Sequence, residues 1–221
     1  MNQQSSLWED AWRRLLANKA AVGGGVILCV LITLAILAPW IAPHSYSYQN
    51  LDLGAQPPSS TFFLGTDTLG RDLFSRILYG ARVSLMVGFV ATGVALVIGV
   101  SWGIIAGYFG GRVDSIMMRI VDVLYGLPFI IFIILLMVIF GRNIWLLFGA
   151  IGAVEWLTMA RIVRGQVLTI KNQEYVLAAQ AMGVSNFQMF RKHIFPNILG
   201  PIAVYATLTI PQVMLLEAFL S

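Results

Sequence analysis

Long apolar runs alternate with short polar segments along almost the whole chain. A hydrocarbon core of about 30 Å needs roughly 20 apolar helical residues to cross it. Five runs meet that length, and we predict that each is a transmembrane helix, because lipid offers an open backbone no hydrogen-bond partner. The pattern therefore predicts an all-α, polytopic membrane protein. Its predicted spans are residues 20–41, 83–107, 116–140, 144–163 and 198–220.

The polar segments between the spans divide the chain into four predicted parts. These are an N-terminal interfacial helix (1–19), a first transmembrane helix (20–41), an external loop (42–82) and a core domain (83–221) that contains a polar segment at 171–197.

The N-terminal part has the pattern of a short helix lying in the membrane interface. Ser6 and Glu9 fit a capping box, in which each side chain satisfies an orphan amide of the other. Trp8, Trp12, Leu15 and Leu16 share one helical face, which is typical of an amphipathic interfacial helix. A disordered tail is the alternative.

Basic residues predict the orientation. With the N-terminus inside, the inner segments contain ten of the 14 Lys and Arg residues. An excess of Lys and Arg is typical of cytoplasmic segments, so we predict a cytoplasmic N-terminus and a cytoplasmic 171–197 segment. The four predicted outer residues are Arg71, Arg76, Arg82 and Arg142.

Prolines and glycines inside the spans predict local departures from straight helices. Pro128 and Pro211 each remove a helical hydrogen bond and are expected to kink their spans. Gly99, Gly103 and Gly107 recur every fourth residue, which predicts a face of close helix contact. The alternative is the general frequency of glycine in membrane helices.

Composition agrees with the membrane class and excludes several others. The chain is 58% hydrophobic and 11% charged, against about 25% charged in soluble domains. The net charge of +4 is spread between apolar spans, so it does not indicate nucleic-acid binding. Cys29 is the only cysteine, which excludes an internal disulfide and a thiol-based metal site.

Motifs of hydrolytic enzymes are absent from the sequence. None of the three lysines follows a glycine, so there is no loop of the G-x-x-x-x-G-K-[ST] type to bind nucleotide phosphates. There is also no G-x-S-x-G or H-E-x-x-H motif, and no catalytic or metal site is predicted. Glu155 and Glu217 are carboxylates inside predicted spans, and they are candidates for the transport path or for a subunit contact. For Glu217, a position near the outer interface is the alternative.

The polar segment near the end of the core predicts a helix, a bend and a second helix. Residues 172–182 favour a helix that Gly183 ends, and Ser185 with Gln188 forms a capping box for the next helix. Pro196 then predicts the start of the last span. The residues alone leave two interpretations open, a docking site for another protein or an amphipathic loop on anionic headgroups.

The same segment resembles the "EAA" loop of permease subunits in ABC-type importers. Alanines, glycine and proline match that pattern in register, whereas Leu177 stands where the family has glutamate, and Glu174 is one turn earlier. The resemblance implies that this loop docks a cytoplasmic ATPase. The candidate docking residues are Glu174, Leu177, Ala178, Ala179, Gly183, Arg191, Lys192 and Pro196.

Other stretches resemble the oligopeptide, dipeptide and nickel permease family. FLGTDTLGRD at 63–72 resembles its external signature, and GYFGGRVD at 107–114 and MARIVRGQ at 159–166 resemble further family stretches. The opening SLWEDA at 6–11 resembles the C-type subunit of the oligopeptide branch. The signature residues are Gly65, Thr66, Asp67, Gly70, Arg71 and Asp72.

The resemblance implies a type I ABC-importer permease fold in a bacterial inner membrane. It implies a second homologous permease, two cytoplasmic ATPases that bind ATP and magnesium, and an external peptide-binding protein, with no cofactor on this chain. Family members usually have six spans, so the chain resembles a C-terminally truncated member. Alternatives are a permease for nickel or another small solute, a non-transporting membrane scaffold and an ion-coupled carrier.

Overall fold

The computed structural model describes residues 7–141 and 144–220, and within these ranges the protein is helical with no strand. This confirms the predicted all-α class. The capping residue Ser6 and the outer residue Arg142 lie outside the described residues. The helices are α1 (Leu7–Ala17), α2 (Lys19–Ile41), α3 (Leu73–Phe109), α4 (Gly111–Tyr125), α5 (Phe129–Phe140), α6 (Ile144–Lys171), α7 (Glu174–Ala181), α8 (Asn186–Met189), a π-helical turn (Phe190–Ile194) and α9 (Phe195–Leu220).

The chain divides into two compact units, Met1–Leu85 and Met86–Ser221. In the first unit, Asn18 separates α1 from α2 and caps α2, because its side chain accepts hydrogen bonds from the amides of Ala20 and Ala21. Only Ala35 and Ala38 of α2 are buried. A helix that is apolar on all sides and exposed on nearly all of them is suited to lipid.

Three helical runs are long and apolar enough to cross a membrane. They are α2, α3 and the continuous run from α8 to α9, and the α4–α5 pair makes a fourth if it counts as one span. The remaining predicted crossing, 144–163, lies in α6, a 28-residue helix that contains Glu155, Arg161 and Arg164. The number of five crossings stays a prediction.

The predicted span 116–140 is broken rather than kinked, which corrects the expectation for Pro128. Helix α4 ends at Tyr125, Pro128 is the N-cap of α5, and the two helices meet at 69°. Proline cannot donate to the helical ladder and disfavours the helical region for the residue before it. With Gly126 two residues earlier, the helix ends instead of bending.

Pro196 is the second residue of the last helix, α9, at the entry that the sequence predicts, but the chain is already helical before it. It lies inside a helical run that continues from Asn186 to Leu220. The turn before it is π-helical, and the amide of Phe195 donates to the carbonyl of Phe190, five residues earlier. A wider turn at this point lets the chain take up a proline without ending the helix.

In the second unit, α3 packs on α6 through the predicted glycine face. A Cβ at Gly99 would lie 2.6 Å from the Cβ of Met159, and one at Gly103 would lie 2.5 Å from the carbonyl oxygen of Ala160. A Cβ at Gly107 would also be too close to α6. The prediction of close helix contact is therefore confirmed. The buried core that α6 shares with the following elements consists of Met159, Val163, Val167, Ile170, Val176, Ala179, Met189, Ile194, Ile198 and Ile202.

Candidate docking surface

The first half of the 174–197 segment is a short helix closed by a glycine turn. Gly183 has φ +80°, the left-handed conformation that favours glycine. Its amide donates to the carbonyl of Gln180, and the amide of Val184 donates to that of Ala179 at 3.2 Å. These two bonds form a Schellman motif, which satisfies carbonyls that the end of α7 leaves open. The predicted glycine bend is confirmed.

The second half begins with the predicted serine cap. The amide of Gln188 donates to the Ser185 hydroxyl at 3.4 Å, and α8 then passes directly into the π-helical turn. The segment is therefore two helices joined by residues 182–185. The glycine turn closes the end of α7 and Ser185 caps the start of α8, so the connection between them has a defined shape.

One face of the segment is anchored in the core of the second unit. Val176, Ala179, Met189 and Ile194 are all buried there. Ala179 therefore differs from the other candidate docking residues, because its side chain is 5% exposed and faces inward. The small alanine lets α7 lie close to its neighbours and is not available to an outside partner.

The opposite face exposes large apolar side chains. Met182 is 77% exposed and Phe187 is 70% exposed, and they lie on either side of Gly183. Tyr175 and Leu177 are also about half exposed. The remaining candidate docking residues are exposed as well: Glu174, Ala178, Gly183, Arg191, Lys192 and Pro196. The surface is thus an apolar patch bordered by charges.

The last residues of α3 contact the segment through groups to which the sequence assigned no role. The Tyr108 hydroxyl donates to the carbonyl of Asn186 at 3.0 Å. Lys171 Nζ donates to the carbonyl of Tyr108 at 2.7 Å. The only sequence signal for this contact was that Tyr108 lies in the family stretch 107–114.

Two ion pairs join α4 to the C-terminal half of α6, the helix that leads into the 174–197 segment. Arg164 binds both carboxylate oxygens of Asp114, with the Nη2–Oδ2 distance at 2.6 Å. Arg161 binds Asp122 at 2.7 Å and lies over the ring of Tyr125, 4.2 Å from its centroid. A bidentate arginine–carboxylate pair fixes orientation as well as distance, so α4 has a defined position on α6.

In the first unit, the family signature at 63–72 folds into a tight loop. Asp67 Oδ1 accepts from the amides of Leu69 and Arg71, and its Oδ2 accepts from the Arg71 guanidinium at 2.7 Å. Desolvation alone would raise the pKa of Asp67, but the hydrogen bonds from Arg71 and Leu69 lower it below its ordinary value. Gly65, Thr66 and Gly70 are buried in the same loop.

Asp72 bonds to Ser75 and lies next to His44, rather than pairing with Arg76 one turn later. Its Oδ2 accepts from the Ser75 amide at 3.0 Å and from the Ser75 hydroxyl at 2.6 Å. His44 Nδ1 lies 3.7 Å from the same oxygen. Asp72 is 4% exposed, so the signature aspartate has a structural role at the start of α3.

The two candidate pathway carboxylates lie on different helices of the second unit. Glu155 is half-buried in α6, next to the buried Trp156. Glu217 is 6% exposed, in the last turns of α9. Its side chain is enclosed by protein, and its position relative to the outer interface stays a prediction.

Comparison with known proteins gives two family matches that together cover most of the chain. Residues 99–221 match the family described as binding-protein-dependent transport system inner membrane component. Residues 6–58 match the N-terminal transmembrane domain of oligopeptide transport permease C.

Individual relatives match over nearly the whole chain. The dipeptide transport system permease protein DppC of Bacillus subtilis is 50% identical over 98% of this chain and 68% of its own length. The oligopeptide transport system permease protein OppC is 47% identical over 98% of this chain in Haemophilus influenzae, covering 70% of that protein. OppC of Bacillus subtilis is also 47% identical over 98% of this chain, covering 71% of that protein.

Proposed function

The chain belongs to the family of binding-protein-dependent transport system inner membrane components, and on that premise we propose that it is a permease subunit of an ATP-driven peptide importer. It is a multi-pass membrane protein of that family. In the proposed assembly it forms half of the translocation path with a second, homologous permease. Relatives named as dipeptide and oligopeptide permeases support a peptide substrate.

The ATP hydrolysis is proposed to take place on two cytoplasmic ATPase subunits, which bind ATP and magnesium. An external binding protein delivers the peptide. The N-terminus and the 174–197 segment lie on the cytoplasmic side in this proposal, as the distribution of Lys and Arg predicts. This chain holds no cofactor of its own in the proposal.

The observation that carries the docking role is the exposed apolar patch on a rigid, capped segment. Met182 and Phe187 are more than two-thirds exposed, although the same segment buries four other apolar side chains in the core. Large exposed apolar side chains on a fixed surface usually mark an interaction site. The patch also offers a contact that does not depend on the glutamate of the family pattern, which is Leu177 in this chain.

Retention of the ATPase by variants of this patch tests the proposal. The chain is expressed with its partner subunits, purified in detergent, and the amount of bound ATPase is measured. We expect Met182→Asp with Phe187→Asp to lose the ATPase while the permease pair stays assembled. Unchanged ATPase binding by this variant would contradict the docking role. Uptake of labelled peptides by the intact complex, compared with its uptake of nickel, then tests the substrate class.

The glycine turn gives a second, conformational test. Alanine at Gly183 must adopt φ near +80°, which costs about 1–2 kcal/mol for a residue with a Cβ. A Cβ there meets nothing within 4 Å, so the cost is one of backbone conformation alone. We expect Gly183→Ala to reduce ATP-driven uptake several-fold without preventing membrane insertion.

Two matched variants make this interpretation specific. Asparagine tolerates the left-handed conformation better than alanine, so Gly183→Asn should retain most of the uptake. Gly165→Ala adds a methyl group in open space within α6 and should behave as the unaltered protein. Equal uptake by the alanine and asparagine variants at Gly183 would show that its turn is not required for transport.

A further inference from the structure

The end of α3 is a point where three elements of the second unit meet. Gly110 and Gly111 follow α3 with φ +66° and +53° and turn the chain into α4. The last carbonyls of a helix lack partners and carry partial negative charge. Lys171 Nζ donates to one of them, the carbonyl of Tyr108, at 2.7 Å. The end of α6 is thereby bonded to the end of α3.

The side chain of Tyr108 continues this connection into the 174–197 segment. Its hydroxyl donates to the carbonyl of Asn186, the first residue of α8. Its ring meets the ring of Phe190 edge to face, with 6.3 Å between centroids. A single tyrosine therefore contacts the segment at two points, and Lys171 holds its backbone.

The 174–197 segment is attached to α6 and to α3 in different ways. The segment continues α6 after Asn172 and Gln173, so it is attached covalently to that helix. It has no covalent attachment to α3, which lies more than 60 residues earlier. The other link between α3 and the segment is apolar packing, on α6 and on the buried core that the segment shares. The hydrogen bonds of Tyr108 and Lys171 add directional contacts to that packing.

We propose that Tyr108 and Lys171 are positioning residues that make α3 move together with the docking surface when the ATPases close. The proposal rests on the docking function proposed above. It assigns a role to a stretch of the chain, residues 107–114, that the docking surface itself does not use.

The test removes only the hydroxyl, with Tyr108→Phe in the complete complex. The Asn186 carbonyl keeps its hydrogen bond from the Phe190 amide, so the segment should fold as before. Losing one net hydrogen bond predicts a roughly two- to tenfold fall in peptide taken up per ATP hydrolysed. ATPase retention and hydrolysis without peptide are expected to stay unchanged.

Lys171→Met is expected to lower the same ratio, and Lys171→Arg to restore part of it, because arginine also donates to a carbonyl. Tyr205→Phe, which removes a hydroxyl from α9, is the matched control and should leave the ratio unchanged. An unchanged ratio in both Tyr108→Phe and Lys171→Met overturns the proposal. So does loss of bound ATPase in Tyr108→Phe, which would make Tyr108 part of docking rather than of transmission.

Failure of the proposed function has a different signature. In that case the unaltered chain would not retain an ATPase at all, and the ratio could not differ between variants because no coupled uptake would exist. That result would overturn the positioning role together with the docking role, whereas the variant results above overturn the positioning role alone.

Discussion

Replacing Gly103 by alanine is expected to push α3 and α6 apart. The added methyl carbon would lie 2.5 Å from the carbonyl oxygen of Ala160 and 2.8 Å from the Cβ of Val163. Ordinary van der Waals contact begins at 3.4 Å, so the Ala160 contact alone requires a separation of about 0.9 Å at this level. Neither neighbour is the flexible end of a side chain.

The magnitude follows from a comparison with Gly93 on the same helix, where a Cβ meets nothing within 4 Å. Both alanine variants gain helix propensity, by up to about 1 kcal/mol. Only the variant at Gly103 also suffers overpacking, which costs about 1–3 kcal/mol. We therefore expect Gly103→Ala to be less stable than Gly93→Ala by about 1–3 kcal/mol, since the propensity gain cancels.

Equilibrium unfolding in detergent micelles, followed by helical circular dichroism against denaturant, measures this difference. The two variants should share the same slope and differ in midpoint. If Gly103→Ala proved as stable as Gly93→Ala, or more stable, the close approach of α3 and α6 at this glycine would be refuted. Uptake by the Gly93 variant provides the control for function.

Two further stability predictions use the same assay. Arg164→Met leaves the Asp114 carboxylate without its bidentate partner and is expected to lower the free energy of unfolding by about 1.5–3 kcal/mol. Adding Asp114→Leu should recover part of that loss. No recovery in the double variant would contradict the assignment of the loss to an unpaired carboxylate. Asp72→Ala removes the acceptor of the Ser75 amide and should cost about 0.5–2 kcal/mol. Asp72→Asn keeps a capping oxygen and should cost less; an equal loss would exclude capping as the reason.

Features that depend on local chemistry were predictable from the sequence. Gly183 and Ser185 act within a few residues of themselves, through a positive φ and a side chain–amide bond. The spacing of Gly99 and Gly103 likewise follows from helix geometry alone, because residues four apart share a face. For the turn and the cap the partner groups are fixed by the local backbone, and for the glycines the shared face is fixed, although the helix that packs there, α6, is not.

Features that depend on distant partners were not predictable. Tyr108 bonds to a carbonyl 78 residues later, and nothing in its neighbourhood indicates that choice. Asp72 lies next to His44, which belongs to the loop that follows α2, and its local sequence gives no sign of that neighbour. Ala179 faces the core because the anchoring of α7 decides which side is buried. Ala178 and Ala179 are the same residue type in the family pattern, and only the packing of α7 makes one exposed and the other buried.

The uninterrupted helical run from Asn186 to Leu220 makes the docking surface and the last predicted crossing one mechanical part. Its 35 residues measure about 52 Å at 1.5 Å per residue, well beyond a hydrocarbon core of about 30 Å. A displacement of Phe187 is therefore transmitted along this helical run toward the buried Glu217. The regular α-helical hydrogen bonding of that run is interrupted at the π-helical turn at 190–194, and again at Pro201 and Pro211, which cannot donate a backbone hydrogen bond. Conversion of the π-helical turn to ordinary α-helical hydrogen bonding would change the number of residues per turn and so rotate α9 relative to the docking surface.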